Sequence, residues 1–147
     1  MAAQVLKSIL LRHVMKVLAL RTGMSGKKLE DSIIGFDAIL VERTLARSLE
    51  EILLAEHLAK RSFEKKKNIA KKMKYEFLLW FTGKTDLASA FRIAKPKGEE
   101  MVLIVFSGDK KEILKALNAK LETGNPKLET QSDPLDLERI SLSRVKS

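Results

Sequence analysis

Cysteine is absent from the 147 residues. Disulfides, thiolate nucleophiles, iron–sulfur clusters and Cys-ligated zinc are excluded with it. Histidine is nearly absent too: His13 and His57 are the only two, far apart in the sequence. A His-based metal centre or a His-activated nucleophile is not expected, nor is any cofactor. Aromatic residues make up only 5% of the chain, with one Trp, one Tyr and six Phe. No apolar run approaches the roughly 20 residues that span a bilayer, so no membrane partner is expected.

What is abundant is charge. Charged residues are 32% and hydrophobic ones 45%, the mix of one ordinary globular domain with a core of its own. Lys and Arg outnumber Asp and Glu by 28 to 19, for a formal +9. Such an excess points to an anionic partner: nucleic acid, a phosphorylated ligand or an acidic protein surface.

The first fourteen residues, MAAQVLKSILLRHV, read as an N-terminal extension, a short amphipathic helix or an unstructured leader. Lys7 and Arg12 interrupt its apolar positions, unlike a signal peptide, whose charge precedes the apolar stretch. A cytoplasmic location is expected, or a nuclear one in a eukaryote. Residues 15–147 read as a single domain. Met15–Arg21 alternates as a strand would and stops at Thr22–Gly23. Gly23–Lys28 reads as a loop, and Phe36–Glu42 as a second strand. Ser48 and Glu51 have capping-box spacing. Behind them Leu49, Ile52, Leu53 and Leu58 form one apolar face of a helix expected to end near Lys60–Arg61. Residues 62–67 read as a polar connection, with Asn68 as N-cap of a helix that Gly83 terminates. A strand over YEFLLWF is the competing reading.

Thr85–Asp86 is expected to cap a helix, LASAFRIA, that stops before Pro96. Met101–Phe106 (MVLIVF) is apolar on both faces and reads as a central strand of a covered sheet. Asp109 and Glu112 open a helix carried by Ile113, Leu114, Leu117 and Leu121 to Thr123–Gly124. Leu128–Gln131 reads as an edge strand and Asp133–Pro134 as a further helix start. The expected fold is α+β, a small mixed sheet of about four strands packed with about five helices.

Catalytic constellations are scarce. Gly83-Lys84-Thr85 matches the tail of a phosphate-binding loop, but the required earlier glycine is replaced by Leu78 inside an apolar run. Glu50, Glu51 and Glu56 read as solvent-facing helix positions, Glu99–Glu100 as loop charges and His57 as a surface or boundary residue. Glu76 lies within the FLLWF neighbourhood and reads as partly buried in a structural ion pair. No catalytic residue, metal ligand or small-molecule substrate is expected.

The charge itself is concentrated. Between Lys60 and Lys74, eight cations face one acid, so this segment carries +7 and the rest of the chain only +2. Lys65, Lys66, Lys67, Lys71, Lys72 and Lys74 precede an aromatic-rich turn holding Trp80, Gly83, Lys84 and Thr85. Phosphate contacts beside a stacking side chain are what single-stranded nucleic acid requires. Trp80 is a candidate to stack a base, with a core role equally open.

The stretch from Asn68 to Phe91 resembles the small kinase-binding subunit of the KEOPS (EKC) complex, the archaeal and eukaryotic relatives of the human PRPK-binding protein. That family shows an Ile-Ala pair, a Glu-hydrophobic-Leu-Leu segment and a Gly-x-Arg-Gln-Ile-x-x-Ala-Ile segment. Ile69–Ala70, Glu76, Leu78, Leu79, Gly83, Leu87 and Ala90 fall in register with it, and the similarity extends over about residues 15–140. Family members begin directly with the first strand, which makes Met15 the natural start. The resemblance implies a non-catalytic adaptor that binds the complex's kinase/ATPase subunit and helps recruit tRNA by its 3′ CCA end for threonylcarbamoyladenosine formation beside the anticodon. Trp80 stands where the family commonly carries arginine, and Thr85–Asp86 where it has Arg-Gln. Lys84 and the lysines from 65 to 74 are then the cations left to meet RNA. The alternative is a stand-alone basic RNA-binding domain without a kinase partner.

Overall fold

The computed structural model describes residues 16–46 and 49–121. The leader, Ser48, the Leu128–Gln131 strand and the helix at Asp133–Pro134 lie outside these residues. The described elements are β1 (Lys16–Arg21), α1 (Gly26–Ile33), β2 (Ala38–Glu42), α2 (Leu49–Glu64), α3 (Met73–Thr82), α4 (Leu87–Ala94), β3 (Glu100–Val105), α5 (Lys110–Ala116) and β4 (Lys120–Leu121). The fold is α+β, as the alternation of periods in the sequence requires. Two compact units divide it: one holds the described residues of 47–93, the other those of 14–46 and 94–127.

The second unit is built on a sheet in the order β2-β3-β1-β4. Every pairing among the described residues is antiparallel, so the mixed sheet expected of them is corrected. β1 and β2 are joined through α1 but are not neighbours. They run parallel to each other with β3 inserted between them, a split β-α-β arrangement. That inner position explains MVLIVF, since a strand paired on both edges and buried on both faces has no place for a polar residue. Met101, Leu103 and Val105 join Leu20, Leu40, Leu29, Ile113 and Leu117 in one apolar cluster. The alternate residues Val102 and Ile104 are buried as well.

Local signals placed several ends correctly. Asp109 Oδ1 accepts from Lys111 N at 2.9 Å and starts α5. That helix is shorter than expected. Leu117 is its C-cap, Asn118 enters the left-handed region at φ 49°, and Lys120–Leu121 pairs with β1 instead of continuing the helix. The supposed loop at Gly23–Lys28 holds the start of α1. Its helical repeat was hard to read because only Leu29 is buried there.

The other unit contains α2, α3 and α4. The YEFLLWF segment is helical, and the competing strand reading falls: Phe77, Leu78, Leu79 and Phe81 are all buried, round the whole helix circumference. α2 runs four residues past Lys60, so Ser62 and Phe63 belong to a helix rather than to a connection.

A candidate nucleic-acid interface at the α2–α3 connection

The basic run occupies the end of α2 and the eight residues that join it to α3. α2 closes with paired reverse bonds, Lys66 N to Phe63 O at 3.1 Å and Lys67 N to Ser62 O at 2.8 Å. This closure puts Lys66 at φ 56°. α3 ends the same way, with Gly83 N to Trp80 O at 3.2 Å and Lys84 N to Leu79 O at 3.1 Å around Gly83 at φ 73°. Glycine takes this conformation without penalty, and lysine does not. Lys66→Gly is therefore expected to raise the unfolding free energy by about 0.5–1 kcal/mol, read from urea denaturation. An unchanged or lowered value would show that Lys66 is not strained.

Asn68 does not cap α3 as expected. Its side-chain Nδ2 donates to Ala70 O at 2.8 Å, and the helix starts only at Met73, with Lys72 as N-cap. The reason lies one turn into the helix. The carboxylate of Glu76, wholly buried, accepts from Ile69 N at 3.0 Å and Ala70 N at 2.9 Å through Oε1. Those amides are thereby withdrawn from the helix, and the connection is held to the α3 core. Glu76 is buried more completely than the partial burial expected of it, and its Oε1 receives two backbone donors. This geometry leaves Lys65, Lys66, Lys67, Lys71 and Lys72 exposed around one short, hydrogen-bonded connection.

Two expected members of the site sit elsewhere. Lys74 is only 3% exposed, with Nζ 5.1 Å from the centroid of the Tyr75 ring. Burial removes it from the solvent-facing cation set. Trp80 is 9% exposed, and its Nε1 donates to Ser62 Oγ at 3.0 Å, which in turn donates to Leu58 O at 3.0 Å. Its ring ties α3 to α2, so the core role holds and the base-stacking one does not.

Gly83, Lys84 and Thr85 lie at the opposite end of α3, roughly 15 Å from Lys72 for ten residues at 1.5 Å each. The Gly83 and Lys84 amides are used by α3 carbonyls, at the negative end of that helix. A phosphate cradle needs free amides at a helix N-terminus, so Gly-Lys-Thr here is a helix stop. Asp86 then starts α4, its Oδ1 accepting from Ser89 N at 3.1 Å. Hydrogen bonds from Ser89 hold the Asp86 carboxyl below its ordinary range. Lys84 and Thr85 remain exposed, separate from the larger cation group.

The carboxylates expected to face solvent on α2 partly do not. Glu51 and Glu56 are each 2% exposed, and Glu56 Oε1 pairs with Lys60 Nζ at 2.8 Å. Charge periodicity missed them because buried carboxylates are rare unless paired. His57 is exposed, as expected. In the sheet unit, Glu42 shows how local bonding decides a titration. Partial burial would raise its pKa, but hydrogen bonds from the Thr44 side chain and backbone lower it overall. Among the described residues, no group of three or more His, Cys, Asp or Glu side chains could hold a metal. No helix among them is long and apolar enough to cross a membrane.

No family model matches the chain, and no curated protein matches it.

Proposed function

We propose that this chain is a non-catalytic RNA-binding adaptor, of the kind the resemblance to the small KEOPS subunit implies. In this reading it docks on a kinase/ATPase subunit and helps that partner hold tRNA by its single-stranded 3′ CCA end for threonylcarbamoyladenosine formation. The observation that carries the reading is the exposure of Lys65, Lys66, Lys67, Lys71 and Lys72 around one connection braced by Glu76. Five cations on a hydrogen-bonded backbone give a phosphate-binding surface whose ordering cost is met on folding rather than on binding.

Titration of tRNA at several salt concentrations tests it. Binding should weaken steeply with salt, and Lys71→Glu with Lys72→Glu should weaken it at least tenfold, on the scale of two lost phosphate contacts. Lys84→Glu alone should do less, since it lies at the other end of α3. Removal of the CCA end should weaken binding, and the kinase partner should co-purify in one-to-one ratio. Salt-insensitive binding, or none, removes the RNA role. RNA binding without a kinase complex leaves the stand-alone domain.

A further inference from the structure

With Trp80 in the core, the proposed RNA surface lacks the aromatic group that single-stranded recognition uses. The chain has few to offer. Phe77 and Phe81 stack on each other inside the helical unit, centroids 5.4 Å apart and planes at 14°. Phe36, Phe63 and Phe106 are partly buried, and among the described residues Phe91 is the one aromatic side chain that is exposed, at 43%. It projects from α4 against Tyr75 in the first turn of α3, ring centroids 5.7 Å apart and planes at 74°. Tyr75 is half-buried, and its N–H is bonded to the Lys72 carbonyl at 3.1 Å. The pair therefore borders the cation group already described: Lys72 precedes Tyr75 by one helical turn, and Lys71 precedes Lys72.

We infer that Phe91, braced by Tyr75, is the stacking platform for an unpaired RNA base, with Lys71 and Lys72 taking the flanking phosphates. This rests on the RNA-binding reading above and deepens it by naming where a base, rather than a phosphate, is held. Three features support it. An edge-on aromatic neighbour fixes the exposed ring, so little side-chain freedom is lost when a base arrives. The exposed charges that precede Tyr75, Lys71 and Lys72, are cationic, which fits a polyanion better than a neutral apolar partner. A duplex offers no free base face, so the platform makes single strands the preferred ligand.

The test compares three probes of equal length: a single-stranded oligoadenylate, an abasic oligonucleotide with the same phosphates, and a blunt duplex. The intact protein should bind the single strand best. Phe91→Leu keeps an apolar side chain on α4 but removes the ring face. It should lose roughly tenfold in affinity for oligoadenylate, as expected for one stacked base, and nothing for the abasic strand. Phe91→Tyr should restore the difference, and circular dichroism should show both variants folded. Lys71→Ala with Lys72→Ala should weaken all three probes alike. If Phe91→Leu binds oligoadenylate as well as the intact protein while the lysine variant is impaired, the platform is wrong and the phosphate surface stands. If the intact protein binds none of the probes, both readings fail. If Phe91→Leu loses only the kinase complex, the patch is a protein-docking surface and the platform is likewise overturned.

Discussion

Replacing Glu76 with alanine should lower the unfolding free energy by about 4 kcal/mol, one of the two largest single-residue effects expected in the helical unit. The side chain is wholly buried, and one of its oxygens accepts two backbone N–H groups, from Ile69 at 3.0 Å and Ala70 at 2.9 Å. Losing the partner of a buried polar group costs about 1–3 kcal/mol for each bond. Truncation removes both at once and leaves two amides of the connection without their acceptor. Glu76→Gln retains one acceptor oxygen for the two amides while its other oxygen becomes an NH2 donor, and it should lose less than alanine does. Urea denaturation of the three proteins measures this. A loss below about 1 kcal/mol for alanine would mean that water replaces the carboxylate and that the connection is not braced by it. Hydrogen exchange at Ile69 and Ala70 gives an independent reading. Those amides should exchange faster in the alanine variant by a larger factor than amides of the sheet unit. The functional consequence follows from position, because the same two amides border Lys71 and Lys72. A frayed connection must be ordered when RNA binds, so tRNA affinity should fall in Glu76→Ala even though no cation has been removed.

The parts of the fold that were legible in the sequence are those decided within a few residues. Asp109 and Asp86 are polar residues two or three positions ahead of an amide they can accept from, and both do so. Gly83 follows an apolar helix and adopts the left-handed conformation that ends it. β3 could be read because two buried faces leave no period to confuse. Readings failed where the deciding partner is distant or where charge lies inside. α3 starts at Met73 rather than after Asn68 because Ile69 and Ala70 bond to a carboxylate six or seven positions on, which no capping pattern describes. Lys74 occupies the interior of a helix that is buried nearly all round, so no polar face separated it from the exposed lysines before it, whereas the apolar FLLWF neighbourhood did mark Glu76 as buried. The end of α2 was placed at its first basic pair because Lys66 and Lys67, rather than glycine, form its closing turn. The candidate surface was legible as a charge concentration. Its aromatic member was not, because Phe91 sits 24 positions after Lys67 in a short helix and meets Tyr75 only in the folded chain.

Trp80 decides how the proposed interface is divided between core and surface. Its ring is 9% exposed and its Nε1–H is satisfied by Ser62 Oγ at 3.0 Å, across the α2–α3 contact. Alanine there should cost about 4 kcal/mol of stability, from lost burial and the cavity that remains. Phenylalanine keeps most of the apolar volume and loses the indole donor. Its cost should be nearer 1–2 kcal/mol, with Ser62→Ala similar or smaller, and the double variant less than the sum because both remove one bond. Thermal melts measure these values, and the same proteins can be titrated with tRNA below their melting temperatures. Trp80→Phe should bind tRNA within about twofold of the intact chain, since a residue that stacks no base contributes nothing for phenylalanine to lose. Phe91→Leu should show the reverse pattern, a small change in melting and a large one in RNA affinity. A Trp80→Ala protein that melts unchanged yet binds RNA tenfold more weakly would return the stacking role to Trp80. The opposite outcome makes tryptophan the tie between α2 and α3, and confines RNA contact to the cations around the connection and the ring beside them.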